Sequence, residues 1–469
     1  MIRMLLAAPA SGSGKTAVTC ALLAALRKRG LTPCAFKCGP DYIDPMFHRA
    51  VLGVESHNLD LFLSDEKTLR GLFARASSGH GAAVCEGVMG FYDGVGGVTD
   101  RASAWHVART LDLPVILVVR AKGASLTLAA QIKGLRDFRE SSGIAGVILN
   151  DCAPMLCRSL APMLEQETGI PVLGCLPHLE QAEIESRHLG LFTAAEIRDL
   201  TGRIDLLARE LEANVNVDAL LELCQSGAED IAAEYPPGTP GKKHTVRLAV
   251  ARDEAFCFTY AESLETLTGA GAELVYFSPL RDRALPADTC GLYLPGGYPE
   301  LYAEALSANR EMRQAVKAAV SSGMPTVAEC GGFLYLGQAL GDEKDIRWPM
   351  AGVLPGEGFP AGKLVRFGYG SLLAKCDSLL FRTDEEVPAH EFHYWDSTEN
   401  GGGLQMVKPV SGRSWACGFT TDTLYAAFPH LYLAGYPQLA ERFVRAAERY
   451  REDKEDGHGT GKTAASDRV

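Results

Sequence analysis

The stretch Met1-Ile-Arg-Met-Leu-Leu-Ala-Ala-Pro-Ala-Ser11-Gly-Ser-Gly-Lys-Thr16 decides how the first half of the chain folds. Arg3 to Ala8 is an apolar, strand-length run. It enters a glycine-rich loop and then a helix-length stretch, Lys15 to Gly30. Strand, loop and helix in that order make a phosphate-binding loop credible. Gly12 and Gly14 let backbone N–H groups close around phosphate oxygens, Lys15 adds a positive charge, and Thr16 can ligate magnesium. The strict loop pattern asks for glycine where Pro9 stands, and partition-type switch ATPases carry a lysine where Ala10 stands. A glycine-rich turn with an incidental lysine is the plainer alternative. The apolar start superficially resembles a signal peptide, but it is short and runs straight into the loop, so it reads as a first strand.

Outward from this loop, short β-branched runs alternate with helical patterns. Ala82 to Glu86, Val115 to Val119, Gly146 to Asn150 and Val172 to Cys175 read as buried strands, with helix-length stretches at Ser125 to Glu140 and Cys157 to Gly169. This alternation predicts an α/β fold with a doubly wound, mostly parallel sheet. It stops at Tyr235-Pro-Pro-Gly-Thr-Pro-Gly-Lys-Lys-His244, which suits neither helix nor central strand. The first domain is therefore placed at 1–234 and a linker at 235–245. A second series follows with strand-like Val246 to Ala251, Glu265 through Phe277, Gly291 to Leu294 and Pro325 to Glu329. The second domain, 246–437, is also read as α/β. From about Tyr450 the chain has almost nothing to bury, so 450–469 is expected to be a disordered tail. No internal repeat at a fixed period is found.

Composition narrows the function classes. A chain of 469 residues with 47% hydrophobic and 22% charged residues is an ordinary folded protein of two or three domains. Its formal charge of −12 repels phosphate backbones and anionic membrane surfaces, which argues against nucleic acid as a partner. No run approaches the roughly 18 to 20 apolar residues of a membrane span. Thirteen cysteines without any Cys-x-x-Cys pair suggest reduced thiols and a cytoplasmic protein.

Further clusters carry chemistry. Phe36-Lys-Cys-Gly-Pro-Asp41-Tyr-Ile-Asp44-Pro45, with His48 and Asn58-Leu-Asp60 beyond it, brackets two acids with prolines after a strand. That suits metal or polar-substrate binding, the alternative being a proline-bent surface turn. Glu86-Gly-Val-Met-Gly-Phe-Tyr-Asp-Gly94 puts an acid at the carboxyl end of a buried strand, where open α/β sheets bind ligands. Glu86 can hold magnesium opposite Thr16, or serve as a capping or solvated acid. Val327-Ala-Glu-Cys330-Gly-Gly332 places a cysteine at a sharp strand-to-helix turn, like a nucleophile elbow, although most cysteines are small buried hydrophobes. His430, in Phe428-Pro-His-Leu-Tyr432, is a plausible base, and the glycine backbone of Leu294-Pro-Gly-Gly-Tyr-Pro299 can donate to an oxyanion. Together these suggest acyl transfer through a thioester. His390-Glu-Phe-His393 spaces its histidines by three, where the zinc-protease pattern needs four, so it reads as structural or substrate-facing.

In this order, Ser11-Gly-Ser-Gly-Lys-Thr16, Lys37 to Pro45, Glu86 to Gly94, Arg187-His-Leu-Gly-Leu191, the elbow at Cys330 and His390 to His393 resemble the cobyrinate a,c-diamide synthase family over roughly residues 1 to 437. Members join a dethiobiotin-synthetase-like ATP domain to a class I glutamine amidotransferase domain with a flavodoxin-like fold. The resemblance implies ATP- and Mg2+-dependent amidation of the a- and c-acetates of the corrinoid cobyrinate in cobalamin biosynthesis. The nitrogen donor would be L-glutamine or ammonia, the intermediate an acyl phosphate, and a shielded ammonia passage would run between domains. It assigns Gly12, Ser13, Gly14, Lys15 and Thr16 to ATP, with Asn150 reading adenine, and Thr16, Glu86 and Asp41 to the metal. Tyr42, Asp44 and Asp93 would face the macrocycle or its acetates. It makes Cys330 the nucleophile and His430 its base, with Gly297 and Gly331 as oxyanion amides. Many class I amidotransferases carry a glutamate two positions after the histidine; here Tyr432 stands there, which leaves a dyad without an assigned orienting partner. Nickel-sirohydrochlorin a,c-diamide synthase is an alternative within the class. A nucleotide-gated binding protein with an inert amidotransferase-like half is an alternative outside it. Self-association into a homodimer is left open.

Overall fold

The computed structural model describes residues 1–182, 186–187, 190–191, 199–225, 246–344 and 346–459, and the chain divides into two compact units, Met1–Pro237 and Gly238–Val469. The stretch expected to be a linker, 235–245, lies outside the described residues, as does part of the Arg187 to Leu191 motif.

The first unit is built on seven strands: β1 (Ile2–Ala7), β2 (Pro33–Cys38), β3 (Ser56–Leu59), β4 (Ala82–Glu86), β5 (Val115–Arg120), β6 (Ile144–Asn150) and β7 (Val172–Leu176). They lie in the order β3-β2-β4-β1-β5-β6-β7, and every pairing is parallel. Parallel strands covered by helices on both faces need apolar side chains throughout. Met4 to Ala7, Val115 to Val119 and Val147 to Leu149 are accordingly fully buried. After β1 the chain winds first to one side (β2, β3), then to the other (β5 to β7). The crevice at the carboxyl ends of the central strands is where such folds place a ligand. Helix α1 (Lys15–Lys28) follows β1 across the glycine-rich loop and buries Val18 and Cys20 to Leu26 against the sheet.

The second unit has a six-stranded sheet in the order Ala272–Phe277, Val246–Ala251, Thr289–Leu294, Thr326–Glu329, Leu424–Ala427, Phe419–Thr420. All its pairings are parallel except that of the last strand. The run Glu265 to Phe277, read as one strand-like segment, is a helix (Ala261–Ala270) and a strand (Ala272–Phe277). Gly271, at φ +114, is the left-handed cap that separates them. A five-stranded antiparallel sheet, Ser414–Cys417, Leu404–Val407, Arg366–Ala374, Glu386–His393 and His430–Leu431, was not anticipated. Its strands mix charged and aromatic residues and carry no continuous apolar run.

The last helix, Pro437–Gly459, corrects two expectations. The second domain does not end at 437, and the first ten residues of the supposed disordered tail, 450–459, are helical; 460–469 lie outside the described residues. Leu439, Ala440, Phe443, Val444 and Ala447 form an apolar stripe packed in one core with Leu248, Val250 and Tyr293. That burial nucleates a helix, which the following polar residues extend with pairs such as Arg451–Glu455 at 3.7 Å. Among the described residues no helix is long and apolar enough to cross a membrane. Phe443→Ala should cost about 3–5 kcal/mol in the urea unfolding of the second unit. Arg451→Ala, at a half-buried position beyond that stripe, should cost no more than about 1 kcal/mol.

Candidate functional sites

In the first unit, Gly12 (φ +74) and Gly14 (φ +91) give the loop its left-handed corners. A Cβ on Gly14 would stand 2.0 Å from the Asn150 side-chain nitrogen, so no larger residue fits. Asn150, at the carboxyl end of β6, donates from Nδ2 to the Ser13 carbonyl at 3.0 Å. The residue expected to read adenine is thus also a brace for the phosphate loop. The Ser13 hydroxyl donates to the Ala10 carbonyl at 2.8 Å, and Lys15 Nζ donates to the carbonyls of Met89 (2.6 Å) and Ala10 (3.3 Å). Those carbonyls hold Lys15 where a phosphate oxygen can compete for it. Burial first, then the nearby Lys37 charge, bring the Lys15 ammonium down to about 8.

Thr16 Oγ1 donates to Glu86 Oε1 at 2.6 Å, so the two residues expected to share a metal are brought together. Glu86 is fully buried at the end of β4, and its register partner across β2 is Lys37. Lys37 Nζ lies 2.8 Å from Glu86 Oε1, forms an ion pair with Asp44, and reaches Asp41 at 4.0 Å. Burial pulls its ammonium down, but Asp44, Glu86 and Asp41 outweigh that and hold it well above its ordinary value. Sequence reasoning quoted Lys37 without giving it a role. The available signal was a lysine inside a run otherwise fit for a fully buried strand.

The remaining candidates of this unit separate. Asp41 Oδ1 accepts from the backbone N–H groups of Ile43 (2.8 Å) and Asp44 (3.2 Å), so it caps the helix Ile43–Leu52. Burial and Asp44 raise its carboxyl to about 6. Asp44 and Tyr42 are buried, Asp44 in its ion pair with Lys37, whereas Asp93 is exposed and accepts from Gly90 N at 2.9 Å. Asn58 clamps the same segment through the carbonyls of Gly39 and Asp41, and Asp60 closes its own turn on the N–H of Phe62. His48 is buried beside Glu86 at 3.9 Å, and burial lowers its imidazole to about 4. Glu86 Oε2 is buried without a hydrogen-bond partner among the described residues. A bare carboxylate oxygen next to a threonine hydroxyl is the hard-oxygen donor set that Mg2+ takes, so these residues fit that ion. No group of three His, Cys, Asp or Glu that could hold a metal occurs among the described residues. The protein's own share would therefore be Thr16 and Glu86, with phosphate and water completing the shell.

In the second unit, Cys330 sits between the strand Thr326–Glu329 and the helix Gly331–Leu336 at φ 49, ψ −101, a strained conformation for a non-glycine residue. Only glycines permit the packing around it. A Cβ on Gly332 would stand 2.1 Å from the Leu294 carbonyl, and one on Gly297 2.1 Å from that of Ala255. A Cβ on Gly331 would stand 3.1 Å from Gly297 N, so the two expected oxyanion amides adjoin at the elbow. A Cβ on Gly296 would meet His430 Cε1 at 2.5 Å and Cys330 Cβ at 3.4 Å, which makes the thiol and the imidazole neighbours across that residue. Burial, then the charges of Glu300 and Glu391, push the Cys330 thiol well up, opposed by the Gly331 N–H. Ionising it is costly until positive charge is close.

His430 arrives on the antiparallel sheet, paired in register with His390. Burial, then His430, lowers the His390 imidazole to about 3. His393 stacks on Phe428 and lies 3.0 Å from Glu391 Oε1, which sits 3.6 Å from Arg366. The His390 to His393 motif thus walls the site from behind.

These folds and sites define a nucleotide-binding phosphate-loop module and an amidotransferase module on one chain. Residues 4–192 match the CobQ/CobB/MinD/ParA nucleotide binding domain and residues 247–436 the CobB/CobQ-like glutamine amidotransferase domain. The chain is similar to cobyrinate a,c-diamide synthases of Clostridium acetobutylicum (38% identity; 95% of this chain, 100% of the relative), Caldanaerobacter subterraneus (38%; 92% and 96%) and Salmonella typhimurium (39%; 95% and 98%). It belongs to the cobyrinate a,c-diamide synthase family, and it is an enzyme of the glutamine-dependent amidotransferase ligases.

The lowered Lys15 pKa has a measurable sign. Near pH 7 the ammonium is already charged, whereas near pH 9 part of it is neutral and must regain a proton to meet phosphate. Calorimetry of nucleotide binding near pH 9, in buffers of different ionisation enthalpy, should report uptake of a fraction of a proton. The uptake should disappear near pH 7 and in Lys15→Arg.

Proposed function

We propose that the protein amidates the a- and c-acetate carboxylates of cobyrinate, with ATP as activator and glutamine as nitrogen donor. The observation that carries this reading is the presence, on a chain matched nearly end to end by relatives of that name, of a complete phosphate loop and a cysteine elbow with an adjacent histidine.

A carboxylate is a poor acyl donor. In the first step a carboxylate oxygen attacks the γ-phosphorus of ATP, the bond to the bridging oxygen breaks, and ADP leaves. Ammonia then attacks the acyl carbon, phosphate departs with the bonding electron pair, and the nitrogen loses a proton to give the amide. Lys15 and the loop amides of Gly12 to Gly14 would hold the charge that spreads over the phosphate oxygens during transfer. Thr16 and Glu86 would hold Mg2+, which would supply positive charge against the developing negative charge of the transferred phosphoryl group. Lys37, 2.8 Å from Glu86 Oε1, keeps that side chain aimed at that point. Asp93, the open acid of its loop, would meet the substrate together with Tyr42 and Asp44, and Asn150 would meet the base.

In the second unit the Cys330 thiol gives its proton to His430 as sulfur attacks the glutamine amide carbon. The oxyanion falls to the amides of Gly297 and Gly331. The carbon–nitrogen bond breaks, nitrogen takes the proton back from His430 and leaves as ammonia, and water resolves the thioester to glutamate. Ammonium has a pKa far above neutrality, so glutamine hydrolysis on the same chain supplies a nucleophile that would otherwise be scarce. With twelve of thirteen cysteines not exposed and none disulfide-bonded, a reducing cytoplasmic setting suits the chain.

Lys15→Ala should lose synthesis by at least about a hundredfold with glutamine or ammonium salts. Cys330→Ala should lose only the glutamine-driven reaction. Chromatography of cobyrinate, ATP and glutamine incubations should give the a,c-diamide; product from nickel-sirohydrochlorin alone would overturn the substrate assignment.

A further inference from the structure

Sequence reasoning left His430 without an orienting acid, because Tyr432 occupies the position two residues later. Tyr432 is buried with its ring edge-on to Tyr260 at 5.1 Å, and it brings no charge. The geometry points to Glu329, the residue immediately before the nucleophile, as the positioning residue of His430. This inference rests on the glutaminase reading above and adds a residue to it.

Three observations carry the assignment. Glu329 Oε2 lies 3.6 Å from His430 Nδ1, while the opposite edge of the ring, Cε1 and Nε2, faces Gly296 and, beyond it, Cys330. An imidazole with a carboxylate at Nδ1 and a thiol toward Nε2 is arranged to accept the thiol proton and to be stabilised once it has done so. A separation slightly beyond hydrogen-bond length is usual for an unliganded catalytic histidine and tightens with substrate. Second, Glu329 Oε1 accepts from the backbone N–H of Leu431 at 3.1 Å, which ties the carboxylate to the main chain that carries His430. Third, Glu329 Oε2 also accepts from Tyr293 OH at 3.1 Å, and the carboxylate borders an apolar pocket lined by Leu267, Val327, Leu380 and Phe443. Solvent does not screen it there, so its charge bears on the ring more strongly than at a surface.

The other titratable groups around the pair do not replace it. His390 faces His430 across the antiparallel sheet as a neutral imidazole, and Glu300 and Glu391 bear on Cys330. Strand register explains why the acid comes from this position. Glu329 pairs with Ala427 at the end of the parallel sheet, and three residues after Ala427 the chain delivers His430. An acid one residue before the nucleophile is thereby brought beneath the base without any residue after the histidine.

The test is the glutaminase reaction of the full chain with L-glutamine. Glu329→Gln keeps the side chain's size and its bond from Leu431 N–H. It should lower kcat about tenfold or more while leaving KM within about threefold, because the carboxylate does not touch glutamine. The acid limb of its kcat/KM profile should move to lower pH, since the imidazolium loses its counter-charge, and Glu329→Asp should recover part of kcat. Tyr293→Phe removes the competing donor on Oε2 and should move the limb the other way, a sign that loss of packing would not produce. Glu329→Gln with kcat within about twofold and an unmoved limb would overturn the assignment. If Glu329→Gln does not fold, an unmoved limb in Tyr293→Phe does so. Wild-type protein that hydrolyses no glutamine would overturn the amidotransferase reading itself, a different result from a variant that matches an active wild type.

Discussion

Lys37 and Glu86 face each other in register across β2 and β4, both buried, 2.8 Å apart. Neither charge is tolerable alone in that place: removing one partner of such a pair costs on the order of 3–5 kcal/mol, because the other stays buried and unpaired. The rest of the first site is arranged around this constraint. Asp44 and Asp41 supply further counter-charge to Lys37, which requires the loop after β2 to fold back over the strand ends. Asn58 and the proline-bracketed turn hold it there. Glu86 in turn receives Thr16, so the first turn of α1 and the end of β4 are locked to one point. A bare carboxylate oxygen remains at that point, beside the loop that cradles phosphate.

The second unit meets a related problem with backbone. Its nucleophile needs donors and a base within a few ångströms, and glycine is the residue that allows the approach. Gly296, Gly297, Gly331 and Gly332 each occupy positions where a Cβ would collide with the opposing chain. The strained conformation at Cys330 persists because the parallel strand before it and the short buried helix after it over-determine it. The base comes from a different layer. The antiparallel sheet carries His430 to the carboxyl end of the parallel one, with the His390 to His393 strand as its neighbour.

Much of this architecture was legible from local pattern. The strands at Ala82 to Glu86 and Val246 to Ala251 have the ends the sequence suggests, and the first helix begins at Lys15 as expected. Fully buried parallel strands must be apolar on both faces, which leaves an unambiguous signal. What escaped were elements whose burial depends on distant partners. β3 carries His57 and Asn58, side chains a local reading assigns to a loop, and the strand foreseen before Asp41 runs on through Lys37 to Cys38. The antiparallel strands mix polar and aromatic residues, and the last helix owes its first turns to a core built from strands about 150 to 200 residues earlier. Among the site residues, Tyr42 and Asp44, expected to face the macrocycle, are buried side chains, a placement that proximity in sequence to a loop does not reveal.

The sequence by itself determined which chemistries the chain can perform: a phosphate loop needs Gly12, Gly14, Lys15 and Thr16 within one short run, and an elbow needs Cys330 followed by glycines, because both sites are made from contiguous backbone at a strand end. Only the tertiary structure decided which acids serve them. Lys37 meets Glu86 across 49 residues and Glu329 meets His430 across 101. The physical reason is that a counter-charge acts through distance in space and low local dielectric, neither of which is written in the spacing along the chain.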